Sequence, residues 1–343
     1  MSFTGANKTI MTLYARLQNA FELVEAAVSS SRIPGAVLGI VNRAGDQIVA
    51  STGHAQKEPV RRPMTDDTWF DLASLSKVVF TTPRILALHV AGAINLDEPL
   101  CSVLKDLRQY DPECWERKVT FRECLAHSTP FPAVEPIYTY GQDADLLRAF
   151  VLQRQWQAGI PVYSDINFIL LGLVLERIEG MKIREMSAGE GFVFSSDPMK
   201  SAATENCTWR HRVLCGEVHD DNCAALQGAG HAGLFGTARS LLAFSQRLLD
   251  GTAYSADIIA LMRKTESATR TLGWERSHAG WSGGDACSDS SIGHTGFTGT
   301  GMWIDFEAGL AWTLLTNRIH PSRHIESGIA ELRQAVGNAI VRG

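Results

Sequence analysis

The chain has 343 residues, of which 45% are hydrophobic and 20% are charged, and its formal net charge at pH 7 is −5. No basic run stands out, which argues against a nucleic-acid partner. No apolar stretch reaches the roughly 18 residues that a membrane-spanning helix needs. The length exceeds the ~250–300 residues at which one hydrophobic core usually stops growing, so we expect two sub-domains.

The seven cysteines are scattered and odd in number, which predicts reduced thiols rather than a disulfide framework. Five Cys and His residues recur every four positions and could bind zinc if they lay on one continuous helix. Gly216 and the run Asp220–Asn222 instead indicate a loop, so we expect no metal and no other cofactor. The repeat consists of Cys207, His211, Cys215, His219 and Cys223.

The N-terminal segment predicts an amphipathic helix, because apolar residues follow one another in steps of three and four from Ile10 to Val28. Charged residues such as Arg16 and Glu22 interrupt it, so no signal peptide is predicted. The sequence as written therefore indicates a cytoplasmic location. A periplasmic one stays open if an export signal is missing from this sequence.

Two β-rich runs, Gly35–Val41 and Gln47–Ser51, are joined by turn residues and predict a hairpin. A helical pattern follows from Ser74 to about Ala91, and Pro83 predicts a kink in it. The chain from about residue 96 to residue 263 is mainly helices and loops. Its two clearest helices are Asp165–Glu179, which stops at Gly180, and the segment from Thr237 to Gly251.

From residue 270 onward the pattern changes to short strands separated by turn residues, and an amphipathic helix from Ile325 to Ile340 closes the chain. The predicted strands are Thr271–Glu275, Ser291–His294, Gly301–Asp305 and Leu310–Thr316.

The element order predicts an α+β fold in which both ends of the chain build one antiparallel sheet, flanked by the terminal helices. Residues 1–93 and 266–343 would form this sheet domain together. Residues 94–265 would form an inserted, mainly helical domain. Because clefts between domains favour ligand sites, we expect the active site between the two.

A candidate nucleophile lies at Ser74, three residues before Lys77. On a helix the two side chains share a face, and a lysine ammonium lowers the cost of forming the serine alkoxide. The backbone N–H of Ser74, at the helix start, is an unpaired donor. Taken alone this spacing is weak evidence, because Ser102 and Lys105 match it equally well.

Two further segments contain residues that could belong to an active site. Tyr163-Ser164-Asp165 stands at the junction of a loop and a helix, where Ser164 or Asp165 would cap the helix and Tyr163 near a lysine could act as a general base. Residues 293–301 contain four glycines within a β-rich region, which indicates either a hairpin turn or close backbone approach to a ligand.

Together the three segments resemble the motifs of the serine β-lactamase and penicillin-binding-protein superfamily, and specifically its class C-like branch of hydrolases, esterases and DD-peptidases. That superfamily carries S-x-x-K, then Y-x-N or Y-S-x, then K-T-G or H-T-G in this chain order. The corresponding residues here are Ser74–Lys77, Tyr163–Asp165 and His294–Gly296. The segments 216–222 and 229–235 also resemble one subgroup, so the similarity covers nearly the whole chain.

The resemblance implies a role for each matching residue. Ser74 would attack a carbonyl, and Lys77 and Tyr163 would move its proton to the leaving group and later activate water. The backbone N–H groups of Ser74 and Phe297 would form the oxyanion hole. The substrate would be a small molecule or short peptide. Its binding residues would be Asp165, His294, Thr295 and Gly296.

The sequence departs from the commonest pattern at three of these positions. Asp165 stands where many members have Asn, His294 where Lys is commoner, and Phe297 where true β-lactamases have a small polar residue. A bulky Phe297 predicts a more apolar acyl or alcohol pocket. We therefore expect short-chain p-nitrophenyl esters to be hydrolysed faster than the β-lactam nitrocefin.

Two alternatives stay open from the residues. Gly280–Gly284 fits G-x-S-x-G, the nucleophile elbow of α/β-hydrolases, with Ser282 as nucleophile, but its flanks resemble loops. The fold could also be a binding module that has lost catalysis. Within the preferred function, β-lactams, D-amino-acid peptides and esters remain possible substrates, and the oligomeric state is undetermined.

Overall fold

The structure, a computed structural model, describes residues 3–343, with side chains described from residue 10 onward. Residues 1 and 2, at the start of the predicted sheet domain, lie outside the described residues. The helices are α1 (Phe3–Ser29), α2 (Thr82–Val90), α3 (Phe121–Ala126), α4 (Ala144–Gln153), α5 (Asp165–Glu179), α6 (Asp221–Ala225), α7 (Ala238–Leu249), α8 (Ala256–Arg263) and α9 (Ile329–Arg342). The strands are β1 (Gly35–Asn42), β2 (Gln47–Gln56), β3 (Arg62–Pro63), β4 (Phe70–Asp71), β5 (Phe192–Val193), β6 (Ala203–Cys207), β7 (Arg212–Cys215), β8 (Phe235–Gly236), β9 (Glu275–Arg276), β10 (Ile292–Thr295), β11 (Gly301–Asp305) and β12 (Leu310–Thr316).

Strands from both ends of the chain form one antiparallel sheet of seven strands, in the order β3-β2-β1-β12-β11-β10-β9. Val37 of β1 lies opposite Ser51 of β2 on one side and Leu315 of β12 on the other. This arrangement confirms the predicted α+β class with an antiparallel sheet. The boundaries at residues 93/94 and 265/266 stay a prediction.

The sheet is covered on both faces, which explains why β1 is apolar at nearly every position. Leu38 and Ile40 pack with residues of α1 and α9, such as Leu17 and Val336. Val37 joins the larger cluster that fills the rest of the molecule. Alternate side chains of a strand point to opposite faces, so a strand buried on both faces needs apolar residues throughout. No helix among residues 3–343 is both long and apolar enough to cross a bilayer.

The helix predicted from Ser74 to about Ala91 covers residues 75–90 in the structure, with a π-helical turn over Lys77–Thr81 before α2. Pro83 lies inside this helix and has no N–H to donate to the preceding turn, which interrupts the α-helical hydrogen bonds there. The predicted strand Thr271–Glu275 is wrong, because Glu275 alone of these residues lies in a strand, β9.

Candidate active site

Ser74 lies in a tight turn between β4 and the π-helical turn. The preceding residue, Ala73, has a φ of 47°, in the left-handed region that residues with a Cβ rarely occupy. Lys77 opens the π-helical turn and is completely buried. Its Nζ lies 2.9 Å from Ser74 Oγ, so the predicted Ser and Lys side chains do meet.

Lys77 uses all three of its N–H donors. Besides Ser74 Oγ, its Nζ donates to Asp165 Oδ1 at 2.8 Å and to the carbonyl oxygen of His231 at 3.1 Å. Burial lowers the pKa of Lys77, but the negative charge of Asp165 and the neighbouring Tyr163 outweigh it and raise the pKa to about 12. Lys77 is therefore an ammonium ion at neutral pH.

Tyr163 lies among four nitrogen-containing side chains just before α5. Its ring stacks on the His127 ring with centroids 4.2 Å apart, and Lys77 Nζ lies 5.0 Å from its centroid. The guanidinium carbon of Arg270 lies 5.3 Å from the same centroid, and the His294 ring lies 5.9 Å away. The three predicted motifs thus converge on one place.

His127 is a site residue that the motifs did not reveal. It caps α3 with a left-handed φ of 53°, and its Nδ1 accepts the N–H of Ser164 at 3.1 Å. Burial, and then the charges of Lys77 and Arg270, hold the pKa of His127 well below its usual range. A neutral imidazole thus stacks on Tyr163 and joins the loop after α3 to the start of α5. Nothing periodic in the sequence marks such a position.

The glycine-rich segment after β10 packs directly against the turn that carries Ser74. A Cβ on Gly296 would lie 2.7 Å from the carbonyl oxygen of Leu72, so only glycine fits there. Thr300 Oγ1 donates to the same oxygen at 3.1 Å. From α9, the buried Arg333 donates to the carbonyl oxygens of Gly296 and Thr300 at 3.0 and 2.7 Å. The glycine at 296 and the hydrogen bonds of Thr300 and Arg333 therefore hold the segment after β10 close to the turn that carries Ser74.

The backbone N–H groups of Ser74 and Phe297 are available to a ligand. Within the described residues, neither N–H donates a hydrogen bond. The Phe297 side chain is 48% exposed, and its ring stacks on the His219 ring at a centroid distance of 5.7 Å. Both N–H groups thus have the freedom that oxyanion donors need.

A cavity of about 300 Å³ next to Ser74 is lined by Tyr163, His294 and two charged residues, Arg270 and Glu275. His294 Nδ1 lies 2.9 Å from the carbonyl oxygen of Thr295, and its buried Nε2 has no partner within the described residues. Burial, and then the charges of Arg270 and Lys77, keep the pKa of His294 well below its usual range. The positive charge in this cavity therefore comes from Arg270, which the sequence motifs did not single out.

A larger cavity, of about 470 Å³, also reaches Ser74 and is lined by Asp165 and Asp220, among others. His231 Nε2 lies 2.8 Å from Asp220 Oδ1. Atoms of Asp165, Asp220 and His231 that could ligate a metal lie within 4.8 Å of one another. The Lys77 ammonium already supplies positive charge at Asp165, so a metal ion there would compete with it.

Residues 20–336 match the family model described as Beta-lactamase. The chain belongs to the beta-lactamase family. It is 28% identical to the N-acetylmuramyl-L-alanine amidase of Bacillus subtilis (strain 168), over 89% of this chain and 81% of that protein. It is 27% identical to an Escherichia coli (strain K12) protein named D-alanyl-D-alanine carboxypeptidase, over 77% of this chain and 72% of the relative.

Solved structures agree on the fold of this beta-lactamase-family protein. The beta-lactamase from Sulfitobacter sp. EE-36 matches with a TM-score of 0.73 at 18% identity, covering 96% of this chain and 98% of that one. EstCE1, a hydrolase with promiscuous acyltransferase activity, matches with a TM-score of 0.71 at 19% identity, covering 97% and 99%. The fold is thus β-lactamase/transpeptidase-like, and the family assignment makes the protein a hydrolase.

The structure also shows the surroundings of two motifs that the sequence offered only as alternatives in this beta-lactamase-family chain, the Cys/His repeat and Ser282. The Cys/His repeat does not form one helix, because Cys207 lies in β6, Cys215 in β7 and Cys223 in α6. Ser282 lies in a turn with turns on both sides, where its Oγ donates to Glu275 Oε2 at 3.3 Å and accepts from Trp303 Nε1 at 3.1 Å. A nucleophile elbow needs a strand before it and a helix after it, so Ser282 does not form one.

Proposed function

We propose that this protein hydrolyses an amide or ester bond through a covalent acyl-enzyme on Ser74. The observation that carries the proposal is the 2.9 Å contact between Ser74 Oγ and the buried Lys77 Nζ, at the edge of two cavities. A nucleophile next to a positioned proton-transfer group is the signature of covalent catalysis.

Lys77 and Tyr163 have different parts in activating Ser74: Lys77 supplies positive charge and Tyr163 transfers the proton. Because the pKa of Lys77 is raised to about 12, its ammonium favours negative charge on Ser74 Oγ during attack. As the bond from Ser74 Oγ to the carbonyl carbon forms, the hydroxyl proton moves to Tyr163 Oη while the Tyr163 phenol proton moves to the leaving nitrogen or oxygen, whose bond to carbon breaks. Lys77 stays an ammonium ion throughout this step. Water then attacks the ester, and its proton returns along the same path to Ser74.

The uncommitted N–H groups of Ser74 and Phe297 would stabilise the negative oxygen of the tetrahedral intermediate. Removing one such donor in other hydrolases costs about 2.7–4 kcal/mol of transition-state stabilisation. Thr295 and Gly296, which align the segment before Phe297, would lie along the substrate backbone as a strand edge does.

The substrate class that the charges favour is a short peptide with a terminal carboxylate. Arg270 is the cationic side chain of the 300 Å³ cavity, which Glu275 also lines, and neutral His294 adds no charge there. A guanidinium matches a carboxylate with two parallel hydrogen bonds. The E. coli relative named D-alanyl-D-alanine carboxypeptidase supports this class. The leaving group would then be a single amino acid that retains its own carboxylate.

Short-chain esters are a second candidate, favoured by one observation. The Phe297 ring is half-exposed and lines both cavities beside Ser74. An apolar surface at that place suits an alkyl acyl or alcohol group better than the charged ring system of a β-lactam.

Labelling tests the nucleophile directly. Incubation with a fluorophosphonate, followed by mass spectrometry of the peptides, should place the adduct on the peptide that contains Ser74. Ser74→Ala should lose both the adduct and hydrolysis, whereas Ser102→Ala, which removes the other serine with this spacing, should keep both. Full activity in Ser74→Ala would refute the proposal.

A further inference from the structure

The two N–H groups proposed for the oxyanion hole lie in separate turns. Ser74 follows Ala73, whose left-handed φ of 47° is unfavourable for a residue with a Cβ. Phe297 lies in the turn after β10, with its ring 48% exposed. Local backbone hydrogen bonds close each turn, such as Gly299 N–H to the Gly296 carbonyl at 3.1 Å. The spacing between the two donors depends on contacts between the turns, of which the Thr300 hydroxyl on the Leu72 carbonyl is one.

Asp71, at the end of β4, is bonded to residues next to both donors. It is 2% exposed, and its Oδ1 accepts the N–H of Ala73 at 2.8 Å. Its backbone carbonyl accepts the hydroxyl of Thr298, the residue after Phe297, at 2.8 Å. One buried residue thus contacts the neighbour of each proposed oxyanion donor.

The second carboxylate oxygen of Asp71 extends this arrangement to the other side of Phe297. Asp71 Oδ2 accepts the N–H of His219 at 2.6 Å, and the His219 ring stacks on the Phe297 ring. His219 is itself held by Glu205, whose Oε2 lies 2.9 Å from His219 Nε2. Phe297 is therefore held through its ring by His219 and through its chain neighbour Thr298 by Asp71.

We propose that Asp71 is a positioning residue of the oxyanion hole, which helps to fix the N–H of Ser74 relative to that of Phe297. The inference rests on the proposed function. Both oxygens of Asp71 accept a buried backbone N–H, which explains why a carboxylate stands there. An asparagine offers one oxygen and would turn its NH₂ toward an N–H, leaving a buried donor unpaired.

The variant Asp71→Asn tests the inference through catalysis rather than folding. We expect kcat to fall about 10–100-fold with KM nearly unchanged, since a displaced donor costs part of the 10²–10³ that a missing donor costs. The rate of fluorophosphonate labelling of Ser74 should fall by a similar factor. Asp305→Asn is the matched control, because Asp305 is also a buried aspartate that accepts backbone N–H groups.

Asp305 lies at the end of β11 opposite to Gly301, the residue that pairs with Thr295 near the site. Asp305→Asn should therefore lower the melting temperature but keep kcat within about threefold. Equal effects of the Asp71 and Asp305 substitutions on kcat would overturn the positioning role. Unlabelled wild-type protein would instead overturn the proposed function, so the two failures are distinguishable.

A second variant decides the matter if Asp71→Asn does not fold. Thr298→Val removes the hydroxyl that bonds the Asp71 carbonyl and leaves the carboxylate in place. It should lower kcat about 3–10-fold without a matching change in KM. An unchanged kcat in that variant would contradict the inference.

Discussion

Asp165→Asn should destabilise the protein in a way that depends on pH. The environment raises the pKa of Lys77 from 10.5 to about 12, although burial alone lowers it. That difference corresponds to about 2 kcal/mol of net preference for the charged form. Since the preference already includes the cost of burial, the attraction of Asp165 is larger, and removing one partner of a buried pair typically costs about 3–5 kcal/mol. We expect a loss of at least about 2 kcal/mol at pH 7.

The sign of the pH dependence follows from the direction of the shift. In the wild type, the stability that Lys77 contributes is fully present below its ordinary pKa of 10.5 and is lost as the pH rises through about 12. In Asp165→Asn, burial acts with less opposition, so the pKa of Lys77 falls and the variant gains stability as the pH rises toward 10.5. The difference between the two proteins should therefore shrink steadily above neutral pH.

Urea unfolding from pH 6 to pH 10, at constant ionic strength, measures this difference. Asp221→Asn provides the control, because Asp221 lines the same cavity but pairs with Arg210 at 2.7 Å. Arginine stays protonated over this range, so the destabilisation in Asp221→Asn should not vary with pH. If the loss in Asp165→Asn is just as constant, Asp165 does not stabilise a charged Lys77, and the reasoning is refuted.

Three further substitutions probe the site. Arg270→Gln should raise KM about tenfold or more for peptides that end in a carboxylate, and should change KM by no more than about twofold for esters that lack one. Steady-state kinetics measures both values, and an equal rise in KM for the two substrate classes would show that Arg270 does not recognise the carboxylate. His127→Ala should lower the free energy of unfolding by about 1–3 kcal/mol, because the Ser164 N–H loses its acceptor, and should also lower kcat. Chemical denaturation measures the first effect and initial rates measure the second. An unchanged kcat would show that His127 does not position Tyr163 for catalysis. Wild-type protein should hydrolyse p-nitrophenyl acetate faster than nitrocefin, and Phe297→Ser should reduce the ratio of the two hydrolysis rates. Faster hydrolysis of nitrocefin by the wild type would contradict the role given to the Phe297 ring.

The sequence predicted an element correctly where a local pattern of apolar and turn residues determines its bounds. The strands Gly301–Asp305 and Leu310–Thr316 and the helix Asp165–Glu179 were predicted with their observed bounds, because their apolar patterns end at clear turn or cap residues. The motifs of Ser74 and Tyr163 were located by their order along the chain, and the structure brings them together.

The sequence was uninformative where a residue acts through distant contacts. Arg270 fell at the edge of a predicted strand, and only the tertiary fold places its guanidinium over Tyr163. Asp71 lies only three residues before Ser74, but its bonds to His219 and Thr298 span 148 and 227 residues of chain. Contacts of that separation leave no periodic pattern that a single sequence could display.

The pairing of β1 with β12 has a consequence for biosynthesis. A ribosome produces β1 and its hairpin partner β2 in succession, yet the opposite edge of β1 finds its partner, β12, only after all the helices from α2 to α8 have been translated. Until then the apolar residues of β1 that later face α9 have no cover from it, while the intervening helices can already associate with one another. During translation, the sheet is therefore completed only when β12 is made, just before α9, after all the helices from α2 to α8.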